Sequence, residues 1–316
     1  MEGQNKSSGF IVLGFSGNLE VQSLFFVLLL AMYTMSLVGN TSISVIVRLE
    51  PALHTPMCYF IASLSVVDIC YTSVTAPKML ANLLSKDKAI SFIGCAAQLY
   101  FLLFLGTTEC FLLAAMAYDR FLAICNPLRY TSIMTKHLCA YLVVGSWVSG
   151  MVLSLGQTSL IFVLPFCEDN QIDYFFCDIP PLLKLACGDI SVNEITVFLA
   201  GLLITLIPSL LILGSYIHII ISILKIASAK GRQKAFSTCS SHLIVITLFY
   251  GSASAMYLRP SSSYVLENDK FLALLYSIIT PTLNPIIYSL RSKEINEALK
   301  RRLTSTWIFS APNSRK

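Results

Sequence analysis

The chain has 316 residues, of which 55% are apolar and only 12% charged, against about a quarter charged in an ordinary soluble domain. So few charges do not cover the surface of a soluble fold of this length. The formal net charge of +5 sits in short segments between long apolar runs, which speaks for a chain that crosses a bilayer repeatedly and against a nucleic-acid-binding surface.

In chain order, residues 1–20 form a mixed tail expected to be extracellular, and its Asn5-Lys6-Ser7 triplet is a glycosylation acceptor in that compartment. Val21–Val47 carries no charge; it is too long for a signal-peptide core and is expected to act as an uncleaved anchor. A second triplet, Asn40-Thr41-Ser42, lies inside this run and is inaccessible. Thr55–Pro77 carries one charge, Asp68, and Ser91–Tyr118 carries one, Glu109. Leu138–Cys167, Ile195–Leu224, Ala235–Leu258 and Phe271–Leu290 carry none. Each run supplies the ~20 residues that cross ~30 Å of hydrocarbon as a helix, and helices satisfy their own backbone in lipid. The expected fold is an all-α membrane protein: one domain, 1–316, forming a seven-transmembrane helix bundle. Its spans fall near 21–47, 56–79, 91–118, 138–164, 195–224, 235–258 and 271–290, and a cytoplasmic tail covers 291–316. In Leu290–Leu303, Ile295, Leu299 and Leu303 recur every four residues, with Lys293, Lys300, Arg301 and Arg302 elsewhere around the helix. That pattern predicts a short amphipathic C-terminal helix along the membrane surface.

Fifteen of the 22 lysines and arginines fall on the side holding the carboxy terminus. The basic-rich side is expected to be cytoplasmic, with the amino terminus outside. Glu168, Asp169, Asp173, Asp178, Asp189 and Glu194 crowd the opposite face, between spans four and five. Cys95, Cys167, Cys177 and Cys187 also fall on that outer side, where oxidation is permitted, and four cysteines allow three pairings. Cys58, Cys70, Cys110, Cys125, Cys139 and Cys239 read as small packing residues.

Ionisable groups inside spans are costly and usually functional. Asp68, Glu109, Asn40 and Asn284 lie at comparable depths. They define either a protonated structural cluster or a site for a sodium ion on Asp68 and Glu109, since oxygen ligands suit hard cations. No other cofactor is expected. Pro208, Pro281 and Pro285 lie within spans and predict kinks.

Several segments carry a resemblance. MAYDRFLAICNPLRY (116–130), KAFSTCSSHL (234–243) and PTLNPIIYSLRSKEI (281–295) stand in order, together with LHTPM (53–57), FIVLGFSG (10–17) and FFCDIPPLLKLACGD (175–189). They are similar to the signature segments of odorant receptors of the rhodopsin-like G-protein-coupled class, along nearly the whole chain. The resemblance implies odorant detection at the plasma membrane and coupling to a stimulatory heterotrimeric G protein that raises cyclic AMP. It places a latch between Asp119 and Arg120 at the inner end of span three, in which the carboxylate holds the guanidinium at rest. It assigns further coupling and switch roles to Tyr216, His242, Asn284, Pro285 and Tyr288, and it implies disulfides Cys95–Cys177 and Cys167–Cys187. Phe121, Asn126, Cys58 and Thr282 depart from the family's usual residues, all near the cytoplasmic half or in span seven.

Other classes fit less well. A secondary transporter wants internal repeats, which are not evident. An intramembrane enzyme wants a nucleophile beside a base, whereas the Ser222-x-x-Lys225 spacing sits at the end of span five, where lysine serves as an anchor. A receptor for charged amines wants a carboxylate in the outer half of span three, and Gln98–Thr108 has none. Helical spacing and the resemblance together predict a ligand site in the outer bundle. Leu102, Leu103, Gly106 and Thr107 would come from span three, Gly201 and Ile204 from span five, Ala253 and Tyr257 from span six, and Leu274 and Ser277 from span seven. Such a wall is apolar with few hydroxyls and no carboxylate. It suits a small, neutral, largely apolar odorant with one hydrogen-bonding group, held best by the Tyr257 hydroxyl.

Overall fold

The computed structural model describes residues 9–14, 17–166, 170–258, 266–291 and 295–301. Asn5, Cys167, Glu168, Asp169, Lys293, Arg302 and Leu303, singled out above, lie outside the described residues, so the Cys167–Cys187 pairing does too.

Six helices are long and apolar enough to cross a membrane: Leu19–Leu49, Pro56–Leu84, Phe92–Cys125, Lys136–Phe162, Ser191–Leu224 and Asn268–Ser289. The sixth span in chain order is the helix Ala229–Tyr257. Its apolar part is His242–Tyr257, and a polar, lysine- and arginine-bearing stretch precedes it. Seven helices therefore form the bundle. Their starts follow from capping chemistry. Thr55 accepts a bond from the Cys58 amide ahead of Pro56, Ser91 from Gly94, Thr135 from Leu138, and Ser228 from Gly231.

Span three is the axis of the bundle. Some 67% of its most apolar stretch is buried, against 11% for span one, so span one mainly meets lipid and span three mainly meets protein. The outward faces stay apolar: Leu24, Val27 and Leu28 on span one and Tyr141, Val144, Val148 and Val152 on span four are all exposed. In water such stripes would drive aggregation; in a bilayer they face like solvent. Small residues let helices approach closely. A Cβ at Gly150 on span four would run into Thr108 Oγ1 and lie 2.7 Å from the Phe104 carbonyl oxygen on span three.

Spans five and seven are not regular. Span five passes through a π-helical turn at Leu202–Leu206 before Ile207–Leu224, and span seven through another at Leu275–Ile279 before Thr280–Arg291. Pro208 and Pro281 each stand two residues past such a turn, whereas Pro285 lies inside the helix Thr280–Arg291. At the first two, the expected kinks thus take the form of widened turns. The helix at 295–301 coincides with the expected amphipathic segment, and Ile295 and Ala298 are buried on one side of it.

The face bearing the amino terminus carries a small sheet that the all-α expectation did not include. β1 (Gly9–Val12) runs antiparallel to β2 (Ala89–Ser91) and parallel to β3 (Gln171–Ile172). Residues 9–12 are therefore not part of a loose tail. Phe10 and Val12 point inward and are buried, while Ile11 between them is exposed, the period of a strand. The loop between spans four and five folds over the mouth of the bundle. The Cys95–Cys177 disulfide ties it to span three, with Cα atoms 5.5 Å apart. Gln98 Oε1 accepts the Cys177 amide at 3.0 Å, and the Tyr174 hydroxyl donates to the Asp269 carbonyl at 2.9 Å. Lys270 pairs with Asp173 at the rim.

Candidate functional site

Beneath this lid lies a cavity with about 630 Å³ of unfilled space, its open mouth included. Leu102, Leu103, Gly106 and Thr107 line it from span three, Gly201 and Ile204 from span five, and Ala253 and Tyr257 from span six. These are the residues that helical spacing places on one wall. Leu274 and Ser277 are not on it. Leu274 packs against the core, and the Ser277 hydroxyl is buried on the Ala273 carbonyl. The π turn explains the difference: it adds a residue to the turn and shifts the phase, and Tyr276 faces the cavity instead.

Other contributors come from elements the sequence argument left out. Tyr71 enters from span two, Gln157 from span four and Ile179 from the lid. A Cβ at Gly106 would sit 3.5 Å from the Tyr71 ring, an ordinary contact, so alanine fits there and a larger side chain enters the cavity. The Gln157 amide nitrogen donates to the Thr196 carbonyl on span five at 3.3 Å, while its oxygen is buried without a protein partner.

As expected, no carboxylate is among the described residues that line the cavity, but one lies behind two of its tyrosines. Asp178, fully buried, lies just before Ile179 and caps the short helix Ile179–Leu185. It accepts the Ile179 amide at 2.8 Å, the Tyr276 hydroxyl at 2.7 Å and the Tyr257 hydroxyl at 3.0 and 3.3 Å. Burial pushes this carboxyl above its ordinary range, and the bonds from Tyr276, Ile179 and Tyr257 pull it back. The Tyr257 hydroxyl expected to bind ligand is therefore already engaged. It joins the lid to span six, and Tyr276 joins the lid to span seven.

Deeper in the bundle, the Asn284 amide donates to both Asp68 oxygens at 3.2 and 3.0 Å. Glu109, fully buried, has neither carboxylate oxygen bonded to a protein group. The Asn40 amide bonds instead to Ser36 and, at 3.1 Å, to the Pro281 carbonyl, so it ties span one to span seven. Among the described residues, three or more His, Cys, Asp or Glu side chains do not gather at any point.

At the opposite end from the lid, Asp119 and Arg120 form no ion pair. Asp119 accepts the Tyr130 hydroxyl at 2.8 Å. Burial and the facing carboxylate both push the Tyr130 hydroxyl above its ordinary range, so it remains a donor. The reason is helical geometry: neighbours i and i+1 do not face one another. Arg120 turns into the bundle, where its Nε is buried without a protein partner. Tyr216 and His242, both buried, meet at 2.7 Å between the hydroxyl and Nδ1. Tyr288 is buried with its hydroxyl unpaired, and Pro285 packs where a Cβ at Gly39 would lie 2.8 Å from its ring.

A seven-span bundle with a disulfide-pinned lid over an apolar cavity, and buried polar groups running to the far face, has the architecture of a seven-transmembrane receptor. The comparisons narrow this to one family. The olfactory receptor family profile matches residues 29–306. Human olfactory receptor 10A7 is 51% identical over 96% of this chain and 96% of its own length. Human olfactory receptor 6N1 is 51% identical over 95% of this chain and 96% of its own, and human olfactory receptor 10C1 is 50% identical over 94% and 95%. The chain belongs to the olfactory receptor family, and its function is that of a membrane receptor for odorants.

Proposed function

We propose that this receptor binds small, neutral, largely apolar odorants in the cavity beneath the lid and activates a stimulatory heterotrimeric G protein, raising cyclic AMP. The amino-terminal face is extracellular, the carboxy-terminal face meets the G protein, and the protein works in the plasma membrane with Asn5 glycosylated. Support for the orientation comes from the excess of lysine and arginine on the carboxy-terminal side. The cavity itself carries the ligand reading: Leu102, Leu103, Gly106, Thr107, Gly201, Ile204, Ala253 and Tyr257 converge on it, and among the described residues no lysine, arginine or histidine lines it. A charged ligand would find no opposite charge free on the wall. Leu274 and Ser277 support the wall from behind.

Arg120, Tyr216, His242, Asn284, Pro285 and Tyr288 form the switch, with Asp119 holding the adjoining loop through Tyr130. Arg120 and Tyr288 carry polar atoms that the packing leaves unpaired, and a docked G protein supplies partners for the arginine. Asp68 and Glu109 are the acidic pair of a sodium site. The fit rests on the two unpaired Glu109 oxygens and the adjacent Asp68 carboxylate, oxygen donors that suit a hard cation.

Gly106→Leu tests the ligand reading. The added side chain starts from a Cβ already in contact with Tyr71 and fills the cavity. Cyclic AMP dose–response curves at matched surface expression should show at least tenfold weaker potency for every odorant active on the unmodified receptor. Unchanged potency would move the ligand site elsewhere.

A further inference from the structure

Among the described residues, the cavity wall carries hydroxyl or amide groups on Tyr71, Thr107, Gln157, Thr205, Tyr257 and Tyr276. Four of these residues are already engaged. The Tyr257 and Tyr276 hydroxyls donate to Asp178, and the Thr205 hydroxyl donates to the Gly201 carbonyl. The Gln157 nitrogen donates to the Thr196 carbonyl, and its oxygen is fully buried. The Tyr71 and Thr107 hydroxyls remain. Neither bonds to another of the described residues, and neither is buried away as the Gln157 oxygen is.

The two differ in what else can satisfy them. Thr107 stands on a helix, where a threonine hydroxyl can turn back onto the carbonyl four residues before it, as its neighbour Thr108 does with Phe104 at 2.8 Å. Tyr71 has no such recourse, because its ring carries the hydroxyl too far from its own backbone. The ring meets Tyr276 edge-on, with centroids 6.5 Å apart. On span three it faces Gly106, where a Cβ would stand 3.5 Å from the Tyr71 hydroxyl. Because residue 106 is glycine, it puts no side chain between that hydroxyl and the cavity both residues line. A phenol is also a stronger donor and a weaker acceptor than an aliphatic hydroxyl, since the ring draws on the oxygen's lone pairs.

We propose that Tyr71, on span two, is the specificity-determining residue of the site: its hydroxyl donates to an acceptor oxygen of the odorant, so the receptor selects oxygenated aliphatic molecules over hydrocarbons of the same shape. This rests on the cavity being the odorant site. Leu102, Leu103, Val197, Ala200 and Ile204 take the hydrocarbon part. A pure hydrocarbon in the cavity displaces water from the Tyr71 hydroxyl and leaves a buried donor unpaired, whereas a carbonyl or ether oxygen restores the lost bond. The polar contact thus falls on span two, not on span six, where Tyr257 is held by the lid.

The probes are medium-chain ketones and methyl ethers, with alkanes and alkenes of matching skeleton as acceptor-free analogues, read by cyclic AMP at matched surface expression. On the unmodified receptor the acceptor-free analogues should be inactive or at least about threefold weaker than their oxygenated counterparts. Tyr71→Phe removes only the oxygen. It should weaken the oxygenated ligands about three- to tenfold while acceptor-free analogues hold or gain potency, since no donor is then left unpaired. A residue that merely shapes the wall would move both sets together. Thr107→Val should cost the oxygenated ligands less than Tyr71→Phe does. Acceptor-free analogues matching the oxygenated ligands on the unmodified receptor would overturn the proposal without any variant. So would undiminished potency of ketones and ethers on Tyr71→Phe, an equal loss for both sets, or a larger loss on Thr107→Val. Gly106→Leu separates the two readings. If it abolishes responses while Tyr71→Phe leaves the oxygenated ligands at full potency, the cavity is the site and the donor assignment fails. If Gly106→Leu changes nothing, the site itself is misplaced.

Discussion

Replacing Tyr276 by phenylalanine removes the shorter of the two hydroxyl bonds to Asp178, 2.7 Å against 3.0 and 3.3 Å from Tyr257. The carboxylate is fully buried, and its hydrogen bonds come from two tyrosines and the Ile179 amide, with no cation among them. The nearby Lys270 is paired with Asp173. A hydrogen bond to a charged group contributes about 1.5–3 kcal/mol, so Tyr276→Phe should destabilise the receptor by about that much, raising the unfolded fraction roughly tenfold to a hundredfold. Tyr257→Phe, which loses the longer and divided bond, should cost less. Thermal unfolding of receptor in lipid nanodiscs, followed with a thiol-reactive dye, reads this directly, because the Cys58, Cys110, Cys139 and Cys239 thiols are buried until the bundle opens. Repeating the measurement in an Asp178→Asn background completes a double-mutant cycle. If Tyr276→Phe costs the same with and without the carboxylate, the hydroxyl does not bond to it and the reasoning fails. The same site gives a pH signature. Burial raises the Asp178 carboxyl, so the folded chain holds that proton more tightly than the unfolded chain does. Its contribution to stability is full in acid and falls as pH rises from the ordinary carboxylate value through the raised one. Asp178→Asn should flatten that part of the profile; parallel curves for the two proteins across the acid range would contradict it.

Arg120→Ala should abolish odorant-driven cyclic AMP while surface delivery, measured by antibody labelling of intact cells, stays near normal; full signalling at equal surface level would remove the coupling role. Cys95→Ser or Cys177→Ser should cripple folding, since loss of a disulfide typically costs about 2–5 kcal/mol, and normal surface expression of both would count against that. Glu109→Gln should abolish any dependence of basal activity on sodium and shift ligand potency. Basal activity, potency and sodium response all unchanged would leave the Asp68–Glu109 pair with a structural role alone.

The bundle was legible in the sequence because its determinants are local. Charge-free runs of sufficient length, with Asp68 and Glu109 as exceptions, mark spans whatever their neighbours do. Span six is the instructive case: Ala235–Leu258 reads as one run, yet the helix begins at Ala229 on a polar, basic segment, so only its later part is apolar enough for lipid. The sheet escaped notice because Phe10 and Val12 give only one repeat of alternation, and β2 and β3 come from distant loops. On span three, an uninterrupted α-helix, the 3.6-residue period placed Leu102, Leu103, Gly106 and Thr107 on one wall. Gln157 was missed although its signal was present, a lone amide in a charge-free run. Tyr71, three residues beyond Asp68, likewise shares the inward face of span two. At the inner end of span three, Asp119 is bonded to Tyr130, a partner eleven residues further along that only the folded loop brings to it. Asp178 is alike in this: only the folded loop brings it under Tyr257 and Tyr276.

The two wide turns show how a distant backbone constraint selects the ligand wall. A proline lacks the amide hydrogen, and its ring collides with the carbonyl four residues earlier. For Pro208 that carbonyl belongs to Ile204, and for Pro281 to Ser277. Both fall within the π-helical turns, Leu202–Leu206 and Leu275–Ile279, where the larger loop of chain moves the carbonyl clear of the ring. The cost is a change of phase, felt by the side chains of the turn itself. On span five it brings both Ile204 and Thr205 to the cavity; on span seven it brings Tyr276 there and leaves Leu274 and Ser277 behind it. Neither proline lines the cavity, yet each fixes which residues do, and Pro281 also fixes the tyrosine that holds the lid through Asp178. The shape of the proposed ligand cavity is therefore written partly in positions that a contact-based reading of the pocket would pass over.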